Sequence, residues 1–170
     1  VLPNELKVLL ISDPDAEIAG VSLDVGVGSY AEPANIPGIA HFLEHMLFRG
    51  SKKYPKDDEF STFLTINGGD FNAYTSDEDT NFYFTLSSKA LEQALEIFSR
   101  FFIDPSLRKD SVLKEINAIE SEYQNALTKD EFAFGALLKT LASKSHPFAR
   151  FSMGSFAALT ENNKDELHSS

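Results

Sequence analysis

Two of the four histidines in this chain, His41 and His45, lie four residues apart. An α-helix turns by about 100° per residue, so positions i and i+4 sit about 40° apart on one face. Two imidazoles so placed can hold one metal ion. Glu44 comes three residues after His41 and therefore lies near the same face. A carboxylate next to a metal-activated water can take the water's proton and hand it to a leaving group, which is what hydrolysis needs. The segment His41-Phe42-Leu43-Glu44-His45 reads H-x-x-E-H, the inverted form of the usual zinc-peptidase motif.

A catalytic zinc normally has three protein ligands and one open position. No further histidine is well placed and the chain has no cysteine, so the third donor should be an aspartate or a glutamate. The spacing of Leu113, Ile116, Ile119 and Tyr123 predicts a long helix over 109–126, which offers Glu115, Glu120 and Glu122. Glu115 and Glu122 are seven apart, two turns, and share one face. Leu113 and Ile116 lie on a neighbouring arc that is expected to pack inward. The plain reading of either glutamate alone is a solvated helix face, because charged residues are mostly exposed. A metal would explain carboxylates so near a buried seam, yet spacing alone does not choose between Glu115 and Glu122.

These residues need elements to position them. The motif sits on a predicted helix over 38–49, with Asn35 and Pro37 fitting its start. Before it, residues 7–12 form a short apolar run that reads as a first strand. Val21, Leu23, Val25 and Val27 then alternate with polar or small residues as a strand with one buried face. After it come a helix over 57–67 closed by Gly68 and Gly69, and strands over 71–76 and 80–86 joined by the acidic turn Asp77-Glu78-Asp79. Further helices are predicted over 88–103 and 130–143. Strands and helices are mixed rather than strictly alternating, which favours an α+β fold. No internal repeat or low-complexity segment stands out.

The length, 170 residues, fits one domain, and 42% hydrophobic residues with 15 Phe supply a core. The lack of cysteine excludes disulfides and suits a reducing compartment, so a cytoplasmic location is expected. The net charge of −11 argues against nucleic acid as a partner. No apolar run approaches the length of a membrane span, and no secretory leader is visible in the first residues. Lys164-Asp165-Glu166-Leu167 spells an ER-retention signal, but three residues follow it, so it reads as chance.

The segment from His41 to Pro55 strongly resembles the active-site helix of the M16 metallopeptidases, closest to the insulinase, pitrilysin and nardilysin branch. The likeness continues at Asn72-Ala-Tyr-Thr-Ser76, Thr80-Asn-Phe-Tyr-Phe84, Glu115-Ile-Asn-Ala-Ile-Glu-Ser-Glu-Tyr123 and His146-Pro-Phe-Ala-Arg-Phe-Ser-Met-Gly154. The matches come in the right order over most of the chain, and together they are far more specific than the five-residue motif. The resemblance implies a two-layer α/β sandwich, a mainly antiparallel sheet covered by helices, and a zinc-dependent endopeptidase acting on peptides. The family's pattern places the third ligand 76 residues beyond the second histidine, and 76 residues separate His45 from Glu122. By resemblance, then, His41, His45 and Glu122 hold Zn²⁺, Glu44 is the general base and Glu115 supports the site.

Asn72 and Ala73 match a strand edge where, in this family, an extended peptide substrate pairs through its backbone. Tyr74 and Phe48 would lie near a side-chain pocket there, with ordinary core packing the alternative for both. Members of this branch are much longer, with four related domains forming two bowls around a chamber. Residues 1–170 therefore read as most of the first, zinc-binding domain, without its final elements, and the remaining domains of the same chain are the expected partners. A non-catalytic, peptide-binding member is the rival reading, although such members usually have eroded zinc motifs.

Overall fold

The computed structural model describes residues 1–160. Its sheet has three antiparallel strands, β1 (Ile18–Val25), β2 (Asp70–Thr75) and β3 (Thr80–Ser87), in the order β1-β3-β2. The period-2 pattern decides which face is covered. Val21 and Phe71 lie opposite Phe84, and Leu23 and Ala73 lie opposite Phe82, so one face is an apolar ladder across all three strands. The other face is polar. There Ser22 Oγ donates to Asn81 Oδ1 at 3.0 Å, and Asn81 Nδ2 donates to Asp24 at 3.2 Å.

Three helices meet the apolar face: α1 (Ile39–Leu47), α2 (Glu59–Ile66) and α3 (Leu91–Ile103). Leu47, Phe60, Leu64, Ala94, Ile97, Phe98 and Phe101 join Phe82, Phe84 and Leu86 in one buried core. Much of the phenylalanine content is used here. Phe60 meets Phe84 and Phe101 edge to face at centroid distances of 5.4 and 5.3 Å, a favoured aromatic geometry. The result is the expected α+β architecture, an antiparallel sheet with helices layered on it.

A second, smaller core holds α4 (Lys109–Ala126) and α6 (Phe156–Thr160) against α1, through Ile116, Ile119 and Leu159 with Ile36, Phe42 and Val112. Helix α1 therefore contributes to both cores, Leu47 (followed by the C-cap residue Phe48) to the first and Phe42 to the second. Two cores hold the motif helix, which fixes where its histidines point. Helix α5 (Asp130–Leu141) buries no residue and lies against the 3-10 turn Pro147–Ala149.

Three expectations need correction. Residues 7–12 form no strand: they are exposed, and no strand among the described residues pairs with them, so their apolar pattern lacks the ladder that makes a strand. Helix α1 does not start from Asn35 and Pro37. Its N-cap is Gly38 at φ 92°, and the Glu32 carboxylate, six residues earlier, accepts from the backbone N–H of Gly38 and of Ala40, both at 2.9 Å. Leu113 does not pack inward but is 54% exposed, because the buried stripe of α4 runs through Ser111, Glu115, Ile116 and Ile119. The tetrapeptide Lys164–Leu167 and His168 lie outside the described residues. No described helix is long and apolar enough to cross a membrane.

Candidate metal centre

The histidines of α1 stand across from α4. Their rings meet edge to face, and the two Nε2 atoms are 3.2 Å apart. Glu122, on the last turns of α4, brings Oε2 to 3.5 Å from His41 Nε2 and Oε1 to 3.6 Å from His45 Nε2. The donor atoms of His41, His45 and Glu122 all lie within 4.8 Å of one another, and no other group of His, Asp or Glu among the described residues converges in this way.

The back of each ring is occupied. His41 Nδ1 lies 2.7 Å from the Met153 carbonyl oxygen, and His45 Nδ1 lies 3.2 Å from Glu115 Oε2. Both partners are acceptors, so each Nδ1 carries the proton, and a neutral ring then turns its Nε2 lone pair toward the other. Two lone pairs and a carboxylate converging on one point repel unless a cation or a proton lies among them. Zinc bonds of about 2.0–2.1 Å at tetrahedral angles would set donor atoms about 3.3–3.4 Å apart. The 3.2 Å between the two imidazole nitrogens is close to that spacing, and the Glu122 carboxylate brings one oxygen near each of them, at 3.5 and 3.6 Å. The residues present fit the ion that the motif implies.

Charge around the site follows the same logic. Burial alone would depress the His45 imidazolium, but the hydrogen bond to Glu115 and the negative charges of Glu122, Glu44 and Glu115 outweigh it and raise its pKa. Burial pushes the Glu115 carboxyl up, but its contacts with His45 and the Arg49 guanidinium win and hold it below its ordinary value. Glu115 is 2% exposed, and its second oxygen, Oε1, lies 2.6 Å from Arg49 Nε. Burial raises the pKa of Glu32, against the pull of the two N–H groups it caps.

Glu44, on the same helix, faces the same cleft. It is buried, and Thr75 Oγ1, at the end of β2, donates to its Oε2 at 2.5 Å. Ala73, Tyr74 and Thr75 line this cleft with His41, Glu44 and Glu122. Among the described residues β2 pairs only with β3, so its other edge is open. On that strand the Ala73 N–H is taken up by Asn72 Oδ1 at 2.8 Å, and the Phe71 N–H by Asp70 Oδ1 at 2.9 Å. Tyr74 is half exposed in the cleft. Phe48 is elsewhere: its ring packs against Phe71, Phe82 and Phe101 at 4.7, 5.7 and 5.7 Å, the core-packing alternative.

Three participants left little trace in the sequence. Arg49 is four residues beyond His45, so helical spacing could have placed it on the site's face. Thr75 carries no pattern of its own. Met153 acts through its backbone, which no side-chain pattern reports.

Arg49 gives a first expected outcome. Arg49→Leu removes the counter-charge of a buried carboxylate. Breaking a fully buried pair costs about 3–5 kcal/mol, but the Arg49 side chain is 38% exposed, so about 1–2 kcal/mol is expected at neutral pH in urea denaturation. A carboxyl with a depressed folded pKa gives stability that is present above its unfolded value, near 4.5, and lost as pH falls through the folded one. The gap between wild type and variant should therefore close on acidification.

Comparison with known proteins agrees with the motif. Residues 7–149 match the family model described as Insulinase (Peptidase family M16). The chain is 45% identical over 168 residues to insulin-degrading enzyme-like 2 of Arabidopsis thaliana, covering 99% of this chain and 17% of the relative. It is 44% identical over 153 residues to the insulin-degrading enzyme of Homo sapiens, covering 90% of this chain and 15% of the relative. The crystal structure of pitrilysin superposes with a TM-score of 0.84 at 33% identity, over 92% of this chain and 18% of that one. The chain thus spans about a sixth of the length of these relatives.

Proposed function

The chain belongs to the insulinase family of M16 peptidases, and we propose that it carries the zinc-binding centre of an endopeptidase that hydrolyses peptide bonds in peptides or small proteins. The observation that carries this reading is the convergence of His41 Nε2, His45 Nε2 and the Glu122 carboxylate, whose donor atoms lie within 4.8 Å of one another. Zinc in such a site polarises a carbonyl and lowers the pKa of a water to about 7.

The residues of the chain supply the rest. Glu44 takes the proton of the water and delivers it to the leaving amine. Thr75 holds the Glu44 carboxylate in place through its hydroxyl. Glu115, backed by Arg49, orients the His45 ring. The open edge of β2 at Asn72 and Ala73 pairs with an extended peptide, and Tyr74 contacts its side chains. Full activity belongs to the full-length protein, whose further domains would hold the substrate from the opposite side, because positioning is a large part of rate.

The test is peptide cleavage by the full-length protein before and after treatment with a zinc chelator. Cleavage should disappear on chelation and return when stoichiometric zinc is restored. Chelator-insensitive cleavage would exclude this mechanism.

A further inference from the structure

The His41 ring is held by a backbone group, and the fold goes to some length to bring that group there. Gly38, at the N-terminus of α1, has φ 92°, and Gly154 has φ 86°. Both are in the left-handed region that favours glycine. They are also pressed together: a Cβ on Gly38 would lie 2.2 Å from Gly154 Cα and 2.5 Å from its nitrogen. No side chain fits between the two backbones. His41 follows Gly38 by three residues, about one helical turn, and Met153 immediately precedes Gly154. The close approach thus lays the Met153 carbonyl along the first turn of α1, 2.7 Å from His41 Nδ1.

Both sides of the contact are anchored away from the metal donors. Glu32 holds the Gly38 and Ala40 N–H groups, and Arg150 Nη1 donates to the Glu32 carbonyl at 3.1 Å. Lys139 Nζ donates to the Arg150 carbonyl at 3.1 Å and to Ser152 Oγ at 2.8 Å. Residues 150–154 therefore form a strap tied to α5 at one point and to the loop before α1 at another.

The geometry points to the Gly38–Gly154 contact as a positioning device for the metal centre: it fixes the Met153 carbonyl on His41 Nδ1, so that the ring offers Nε2 to the ion. The carbonyl can only accept, so Nδ1 must carry the proton and Nε2 the lone pair. Gly38 and Gly154 are positioning residues that act through His41. Groups that orient a metal-binding imidazole in this way typically carry about 10–100-fold in metal affinity. The inference rests on His41 being a zinc donor.

Two measurements test it. Long-range ¹H–¹⁵N correlation spectra of the metal-free full chain, at about pH 9 where imidazole is neutral, should show His41 with its proton on Nδ1. A proton on Nε2 overturns the inference, and this readout requires no variant to fold. Zinc affinity by chelator competition should then fall about 10–100-fold in Gly38→Ala. A smaller fall is expected in Gly154→Ala, where the added Cβ would meet Ile119 Cγ2 at 3.3 Å and Gly38 Cα at 3.4 Å. Wild-type zinc affinity in both folded variants overturns the inference while leaving the peptidase reading intact. A wild-type chain that binds no zinc overturns that reading itself.

Discussion

Glu44→Gln is expected to lower kcat for peptide cleavage by about 10²–10⁴-fold while leaving the zinc content of the full-length protein unchanged. The two halves of this result have separate causes. Glu44 is not one of the three converging donors, so the ion does not depend on it. Its carboxylate is buried against Thr75 in the wall of the same cleft, within reach of a substrate lying along β2. Glutamine has nearly the same shape and can still accept the Thr75 hydrogen bond through its amide oxygen, so the local packing survives. What it cannot do is take a proton. A loss of rate with retained zinc and unchanged melting temperature isolates that one property. A variant with near wild-type kcat would remove Glu44 from the mechanism, and a variant that lost its zinc would make Glu44 a ligand instead of a base.

The motif helix was legible because its information is local. His41, Glu44 and His45 share one face by helical geometry alone, and the structure places them so. The two glutamates of α4 show where local information ends. Seven residues put Glu115 and Glu122 on one face but about 10 Å apart along the axis. Only the packing of α4 on α1 decides which one is level with the Nε2 atoms and which lies behind His45. The exposed Leu113 has the same origin, because the partner helix and not the helix itself selects the buried arc. Residues 7–12 failed as a strand for a related reason: an apolar pattern predicts a face to bury, and the ladder partner has to come from elsewhere in the fold. The strap was the least legible, since it works through a carbonyl and two glycines.

The sharpest consequence of the geometry concerns Glu122. Glu122→Gln is expected to weaken zinc binding by well over 100-fold, so that the dialysed protein retains less than stoichiometric metal. The bound comes from comparison: losing a group that only orients a ligand costs about 10–100-fold, and here one of three donors loses its charge. With zinc removed from both proteins, the fold should be nearly indifferent to this change. The Glu122 side chain is 45% exposed, and the only ion-pair partners it has among the described residues are the two histidines. Surface changes of that kind usually stay within about 0.5 kcal/mol. Glu115→Gln is the control. Glu115 is buried between His45 and Arg49, so its variant should lose stability measurably and zinc affinity only by the smaller factor. Metal analysis and urea denaturation of the two variants therefore separate a donor from a group behind a donor. Stoichiometric zinc in Glu122→Gln, with zinc lost in Glu115→Gln, would exchange the two assignments. Zinc retained by both would mean that the third donor is neither of them.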